Sequence, residues 1–206
     1  MTAITVTSRH RAHLTGPNRH FAALREIVVW PAIKRRGRIM GLLSKPIKNL
    51  DDLFVHTLQD ILYAEQRITK ALPKMIEKVS DPQLQEAFRS HLKETQNQIK
   101  RLEQVFEMHK AEAKPVTCPA IDGIIEEAEE IMGESKDTEV LDAAALAAAQ
   151  AVEHYEIARY GTLIAWARQL GRPDCAGVLE PTLNEEKAAD RKLTAIAEAR
   201  VNRVAV

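Results

Sequence analysis

From residue 50 onward, apolar residues recur at alternating steps of three and four, the spacing that keeps side chains on one face of an α-helix. One stripe runs Phe54, Leu58, Ile61, Glu65, Ile68, Leu72, Met75, Val79. A second runs Leu84, Phe88, His91, Leu92, Thr95, Gln98, Ile99, Leu102, Val105, Phe106. A third runs Leu146, Ala149, Glu153, Glu156, Tyr160, Leu163, Ala167, Leu170, and a fourth runs Leu179, Leu183, Glu186, Asp190, Leu193, Ala197. Three of the stripes are interrupted at mid-length by carboxylates. In the second, Glu94 flanks the stripe and shares one face with His91 and Gln98.

Capping and breaking residues divide this pattern into elements. The first helix opens at Asn49 as N-cap, carries Asp51 and Asp52 in its first turn, and runs to about Val79, with Pro73 expected to kink or break it. Ser80-Asp81-Pro82 stops that helix and starts the next, which runs from Pro82 to about Lys110. The short connection predicts an antiparallel hairpin. After a loop over residues 114–119, Ile121, Ile124, Ile125, Ala128, Ile131 and Met132 predict a short helix between Ala120 and Met132, ended by Gly133. The third long helix is expected from about Asp137 to Leu170. Gly171-Arg172-Pro173-Asp174 then supplies a C′ glycine, a stop and a new cap, and the fourth helix runs to about Arg200. The predicted fold is all-α, two antiparallel hairpins joined by one long crossover that carries a short fifth helix. That is the ferritin-like four-helix bundle topology.

Composition supports this class, since helix formers dominate and Gly, Pro and aromatic residues are sparse. The formal net charge of zero hides a split along the chain. Residues 1–45 hold nine Lys and Arg against one acid, Glu26, and the remainder holds 20 basic residues against 28 acidic ones. We therefore expect a basic, disordered N-terminal extension over 1–45 and a bundle domain over 46–206. The stretch 1–39 also reads as a loosely Arg-rich targeting segment or as sequence upstream of a physiological start at Met40. An acidic body argues against a nucleic-acid surface. Without an apolar run near the ~20 residues that span a bilayer, a membrane role is not expected, and a cytoplasmic location is. Cys118 and Cys175 are too few for a disulfide scaffold and read as two unrelated thiols.

The acids on the stripes are where chemistry is expected. A carboxylate facing a core is costly unless a partner or counter-ion offsets its charge. Each group lies near the middle of its helix, so Glu65, Glu94, Glu153 with Glu156, and Glu186 with Asp190 can converge at one depth and share a metal pair. We take Glu65, Glu94, Glu153, Glu156, Glu186 and Asp190 as candidate metal ligands. His91 and Gln98 read either as ligands or as satisfied polar neighbours. Tyr160 lies one turn from Glu156, where it could hydrogen-bond a ligand or carry an electron; the alternative is a packed core tyrosine with its hydroxyl satisfied. So oxygen-rich a set favours iron or manganese over copper or zinc.

The runs Leu53 to Glu65, His91 to Thr95, Glu153 to Gly161 and Leu183 to Asp190 resemble the YciE/YciF family of ferritin-like stress proteins, and the resemblance extends over about Leu50 to Ala199. It implies a ferritin-like bundle with one added helix, a homodimer, and a stress-response setting. The broader superfamily implies a dinuclear iron or manganese site acting on O₂ or peroxide, as a ferroxidase or a catalase-like enzyme. In such a site Glu94 and Glu186 would bridge or chelate, Glu65 and Glu153 would be terminal ligands, and Glu156 and Asp190 would complete the shell. The chain departs from the usual Glu-x-x-His on the second helix, where Glu94 is followed by Asn97, and on the fourth, where Asp190 stands in place of a histidine. The competing expectation is a non-catalytic helical protein whose metal site is degenerate or structural.

Overall fold

The computed structural model describes residues 46–206. The expectations for the basic extension and for a start at Met40 lie outside the described residues. The helices are α1 (Leu50–Lys78), α2 (Pro82–His109), α3 (Pro119–Glu134), α4 (Thr138–Gln169) and α5 (Pro173–Ile196), and no strand occurs among the described residues. The caps explain the starts. Asn49 accepts from Asp52 N, Asp81 accepts from Gln83 N and Leu84 N, and Asp137 accepts from Glu139 N and Val140 N. Each satisfies donors that a helix start leaves without an intrahelical partner.

Four details differ from the sequence reading. Pro73 does not break α1: it is exposed, and the helix continues past it to Lys78. Gly133 does not end α3, which closes at Ser135, whose N–H bonds back to Ile131 O. Asp174 is not the cap of α5. Arg172 holds that position, and its guanidinium pairs with Asp174 in the first turn at 2.7 Å. Finally, the last helix is not regular to Arg200. It changes at Ala197–Val201 to the wider π winding before a last turn at Asn202–Val204. That extra residue buries both Ala197 and Val201 and lets Arg200 reach Asp81 at 2.7 Å.

Connections 79–81 and 170–172 make α1/α2 and α4/α5 antiparallel hairpins. Gly171, at φ 71, supplies the left-handed turn in the second of these. Around the bundle α1 packs on α2, α2 on α5, α5 on α4, and α4 back on α1. The crossover lies over α1 and α4, so α2 and α4 start at the same end. There the Asp142 carboxylate accepts from Ser80 N at 2.7 Å, Ser80 Oγ at 2.8 Å and Asp81 N at 2.9 Å. At the opposite end Arg172 donates to Met108 O, and His109 meets Asp51 at 2.9 Å. This is a ferritin-like four-helix bundle with a fifth helix in its long crossover.

The crossover is fixed by polar contacts to α1 and α4. Val116 N donates to Gln59 O, and Asp122 accepts from Tyr63 OH and pairs with Arg67 at 2.7 Å. Tyr155 OH donates to Asp60 at 3.0 Å and lies 3.1 Å from Cys118 Sγ. Cys118 and Cys175 are both free and buried. Phe54, Leu58, Ile61, Leu84, Leu102, Leu163 and Leu179 lose all or nearly all of their exposure in the interior, each contributing about 1.5–3 kcal/mol of hydrophobic stabilisation. No helix among the described residues is long and apolar enough to cross a membrane.

Candidate metal centre

Midway along the bundle the core turns polar. Glu65 from α1, Glu156 from α4 and Glu186 from α5 are completely buried, and Glu153 and His91 nearly so. One ligand-type atom from each of His91, Glu153, Glu156 and Glu186 lies within 4.8 Å of the others. His91 Nε2 stands 3.5 Å from Glu153 and 3.8 Å from Glu156, and its Nδ1 stands 3.9 Å from Glu186. These separations exceed a good hydrogen bond, so the groups face one another without pairing. Helical spacing explains the convergence. Glu153 and Glu156 are one turn apart on α4, and Glu65 and Glu186 each replace an apolar residue in the stripe of their helix.

Two ligand candidates are held from behind. Tyr160 OH donates to Glu65 Oε1, and the Gln98 amide donates to Glu186 Oε1. Gln98 also donates to Glu185 at 3.2 Å, and Arg101 grips Glu185 through both guanidinium nitrogens at 2.6 and 2.7 Å. The faces turned toward the centre have no such support. The buried side-chain atoms without a hydrogen-bond partner among the described residues are Glu65 Oε2, both His91 nitrogens, Gln98 Oε1, Glu153 Oε2, both Glu156 oxygens and Glu186 Oε2. All belong to this one cluster. Buried polar atoms are ordinarily satisfied, and each left unpaired costs about 1–3 kcal/mol.

Burial and mutual repulsion move the titrations. Burial pushes the Glu153 carboxyl up to about 11, with Glu186 beside it adding to the effect. Burial likewise raises Glu186 to about 7, although Glu153 and Gln98 pull it back. Glu65 and Glu156 are held well above the usual carboxylate range by burial and then by the charge of Glu186. Burial lowers His91 to about 4, which leaves a neutral imidazole at pH 7, the form that binds metals. Glu153 therefore carries a proton at pH 7 and Glu186 titrates around it, and a cation binding here would displace such protons.

The other candidates from the sequence lie farther out. Glu94 keeps 39% of its side chain exposed, with Ser90 Oγ donating at 3.3 Å and its Oε2 3.9 Å from His91 Nδ1. Asp190 is on the rim, accepting from Gln150 at 3.1 Å and lying 3.4 Å from exposed His154. Neither belongs to the group gathered within 4.8 Å. His91, read from the sequence as a ligand or a neighbour, stands at the centre of that group. Glu185 was not singled out in the sequence at all. Its only signal there is its position beside Glu186, because Arg101 comes from another helix and is adjacent only after folding.

Fold and cluster together define a class: an all-α, ferritin-like bundle with a buried His/carboxylate centre able to hold a metal ion. Comparison with known proteins narrows this further. Residues 49–206 match the family described as "Domain of unknown function (DUF892)". Protein YciF of Escherichia coli (strain K12) is 47% identical over 160 residues, covering 77% of this chain and 96% of that protein. The crystal structure of this E. coli stress protein superposes with a TM-score of 0.73 over 76% of this chain and 99% of its own. YcfI from Rhodopseudomonas palustris gives the same TM-score, 0.73, at 57% identity over 75% of this chain and 99% of its own. A Xanthomonas campestris pv. campestris protein, 22% identical with a TM-score of 0.61, shares the fold. The chain belongs to the YciF family of stress proteins, the DUF892 family.

Proposed function

We propose that the cluster is a carboxylate-rich dinuclear iron or manganese site, and that the protein uses it on O₂ or peroxide in a stress response. The orphaned atoms carry this reading: every buried, unpartnered side-chain polar atom among the described residues lines one small volume. A cation offsets that cost, whereas a purely structural core gains nothing from it. Four buried carboxylates facing a neutral imidazole carry the charge that balances two divalent cations. A donor set of carboxylate oxygens with one imidazole suits iron or manganese. E. coli YciF, the curated relative, is named a stress protein.

The chain's own residues have separable tasks. Glu65 and Glu186 are oriented by Tyr160 and Gln98, so their free oxygens aim inward with little rotational freedom. Glu153, Glu156 and His91 lack such anchors and can adjust to a cation. The Arg101–Glu185 pair fixes Gln98, and through it Glu186. Iron or manganese bound here would supply one-electron redox steps to an oxidant. Burial in the core keeps Glu65, Glu156 and Glu186 out of contact with solvent.

A second reading has its own support. The compact group of four around His91 suits a single ion, with Glu65 committed to Tyr160, and such an ion would be structural. Anaerobic loading with Fe(II), followed by exposure to O₂ or peroxide, separates the two. The redox reading predicts oxidation faster than in buffer, lost in Glu156→Gln. Metal retained without any acceleration would favour the structural ion.

A further inference from the structure

Two cavities reach the cluster from different sides, and they meet only at Phe88, His91 and Glu153. One is a crevice of about 60 Å³ roofed by α3 and walled by α1 and α4, with Ile68, Leu72, Ile125, Met132 and Ala149 along it. Its inner end is formed by His91 and Glu153, both nearly fully buried and both with unpartnered polar atoms. Its outer edge carries Lys74, paired with Glu129 at 3.3 Å, and Lys78. The other cavity is a cleft of about 160 Å³ between α2 and α5, lined by Ser90, Glu94, Glu185 and Lys192.

We infer that the crevice under α3 is a binding site and access route for a small apolar gas, of which dioxygen is the chemical class, opening onto the His91–Glu153 edge of the cluster. This rests on the metal reading above and adds the identity of the oxidant and its path. Size selects the ligand. The crevice of about 60 Å³ exceeds the ~10–15 Å³ a single water needs but falls well below the ~150 Å³ cavity that accepts benzene, so a diatomic fits within it and a benzene-sized ligand does not. Chemistry selects it further. Between the mouth and His91 the described residues walling the crevice present apolar side chains, and taking a polar molecule past such walls costs several kcal/mol. Peroxide and hydrated cations are disfavoured there, and an apolar diatomic is not. The α2/α5 cleft, with its carboxylates and hydroxyl, provides cations with a separate polar route.

Xenon is the probe, because it reports apolar cavities without any metal chemistry. Crystals of the full chain, prepared metal-free and pressurised with xenon, should show the gas between Ile68, Phe88 and Ala149. Ala149→Leu should abolish the xenon site and slow O₂-driven Fe(II) oxidation by about tenfold or more, a barrier change of about 1.4 kcal/mol. Oxidation by peroxide and the amount of bound metal should be unchanged. Ala128→Leu, on the roof, is the second variant if Ala149→Leu fails to fold. No xenon in the crevice of the wild type would overturn the proposal, as would a filled crevice with an unaltered O₂ rate. If the protein takes up no metal yet binds xenon here, the metal reading fails while the gas site stands.

Discussion

Asp142, at the end of the bundle where α1 hands over to α2, is buried as deeply as Glu153 in the middle, yet the two carboxylates are in opposite circumstances. Asp142 accepts three hydrogen bonds from Ser80 and Asp81, so the fold itself supplies the donors that replace water. Asp81, also buried, caps α2 and meets Arg200. The mid-bundle acids receive one supporting bond at most on the outward side, and their inward oxygens face one another. Burial alone does not mark a functional acid. What separates the two regions is whether the chain finishes the hydrogen bonding or leaves it to something that binds.

The largest expected effect tests the satisfied region. Asp142→Ala removes three acceptor contacts from buried or half-buried donors and should destabilise the protein by about 3–5 kcal/mol in chemical denaturation, independent of metal. In the unsatisfied region the sign reverses. Glu153→Gln in metal-free protein at pH 8 should raise stability by about 1–3 kcal/mol, since the neutral isostere spares the proton uptake that burying this carboxyl requires on folding. With metal present the same variant should lose the stabilisation that binding confers on the wild type. If both substitutions shift metal-free stability in the same direction, the distinction between the regions is broken.

The pH dependence sharpens the comparison with a smaller effect. A carboxyl raised in the folded state favours folding fully below its ordinary value, 4.5, and loses that contribution as pH climbs to its folded value. For Glu186 the loss falls between 4.5 and about 7, and for Glu153 it continues toward about 11. His91 acts oppositely, costing stability as pH falls from 6.5 toward about 4. Metal-free protein should therefore weaken from pH 7 to 9 by up to about 1 kcal/mol per unit, and Glu153→Gln should flatten that slope. Metal affinity should rise over the same range, because binding releases the carboxyl protons. The smallest effects belong to the rim: Glu94→Gln and Asp190→Asn should change metal-free stability by no more than about 0.5 kcal/mol.

The sequence disclosed the helices and the depth of the site more fully than the membership of the site. On α1 and α4 nearly every position of the periodic stripes is buried, with Met75 and Leu170 half-buried, because these helices meet neighbours along their whole length. Stripes on α2 and α5 are less faithful. Leu92, Ile99 and Leu183 are only half-buried, while Thr182, off the drawn stripe, is fully buried. Asp190 falls on the rim, where Gln150 and exposed His154 of α4 meet it, although Leu193 and Ala197 farther along the same count are buried. Asp142 and Asp60 were invisible as buried acids. Their partners, backbone N–H groups of the 79–81 turn and Tyr155 from a distant helix, come together only in the folded bundle. The π turn at Ala197–Val201 likewise answers to tertiary packing and the reach of Arg200 to Asp81, which no local pattern announces.

The central claim is that the unpartnered mid-bundle atoms are completed by metal. Its most direct test is the metal retained per chain after anaerobic loading with Fe(II) or Mn(II) and desalting, measured by elemental analysis on wild type, Glu186→Gln and Asp142→Asn. The account predicts stoichiometric retention in the wild type, near-complete loss in Glu186→Gln, and retention in whatever fraction of Asp142→Asn remains folded. Equal background metal in wild type and Glu186→Gln would contradict it.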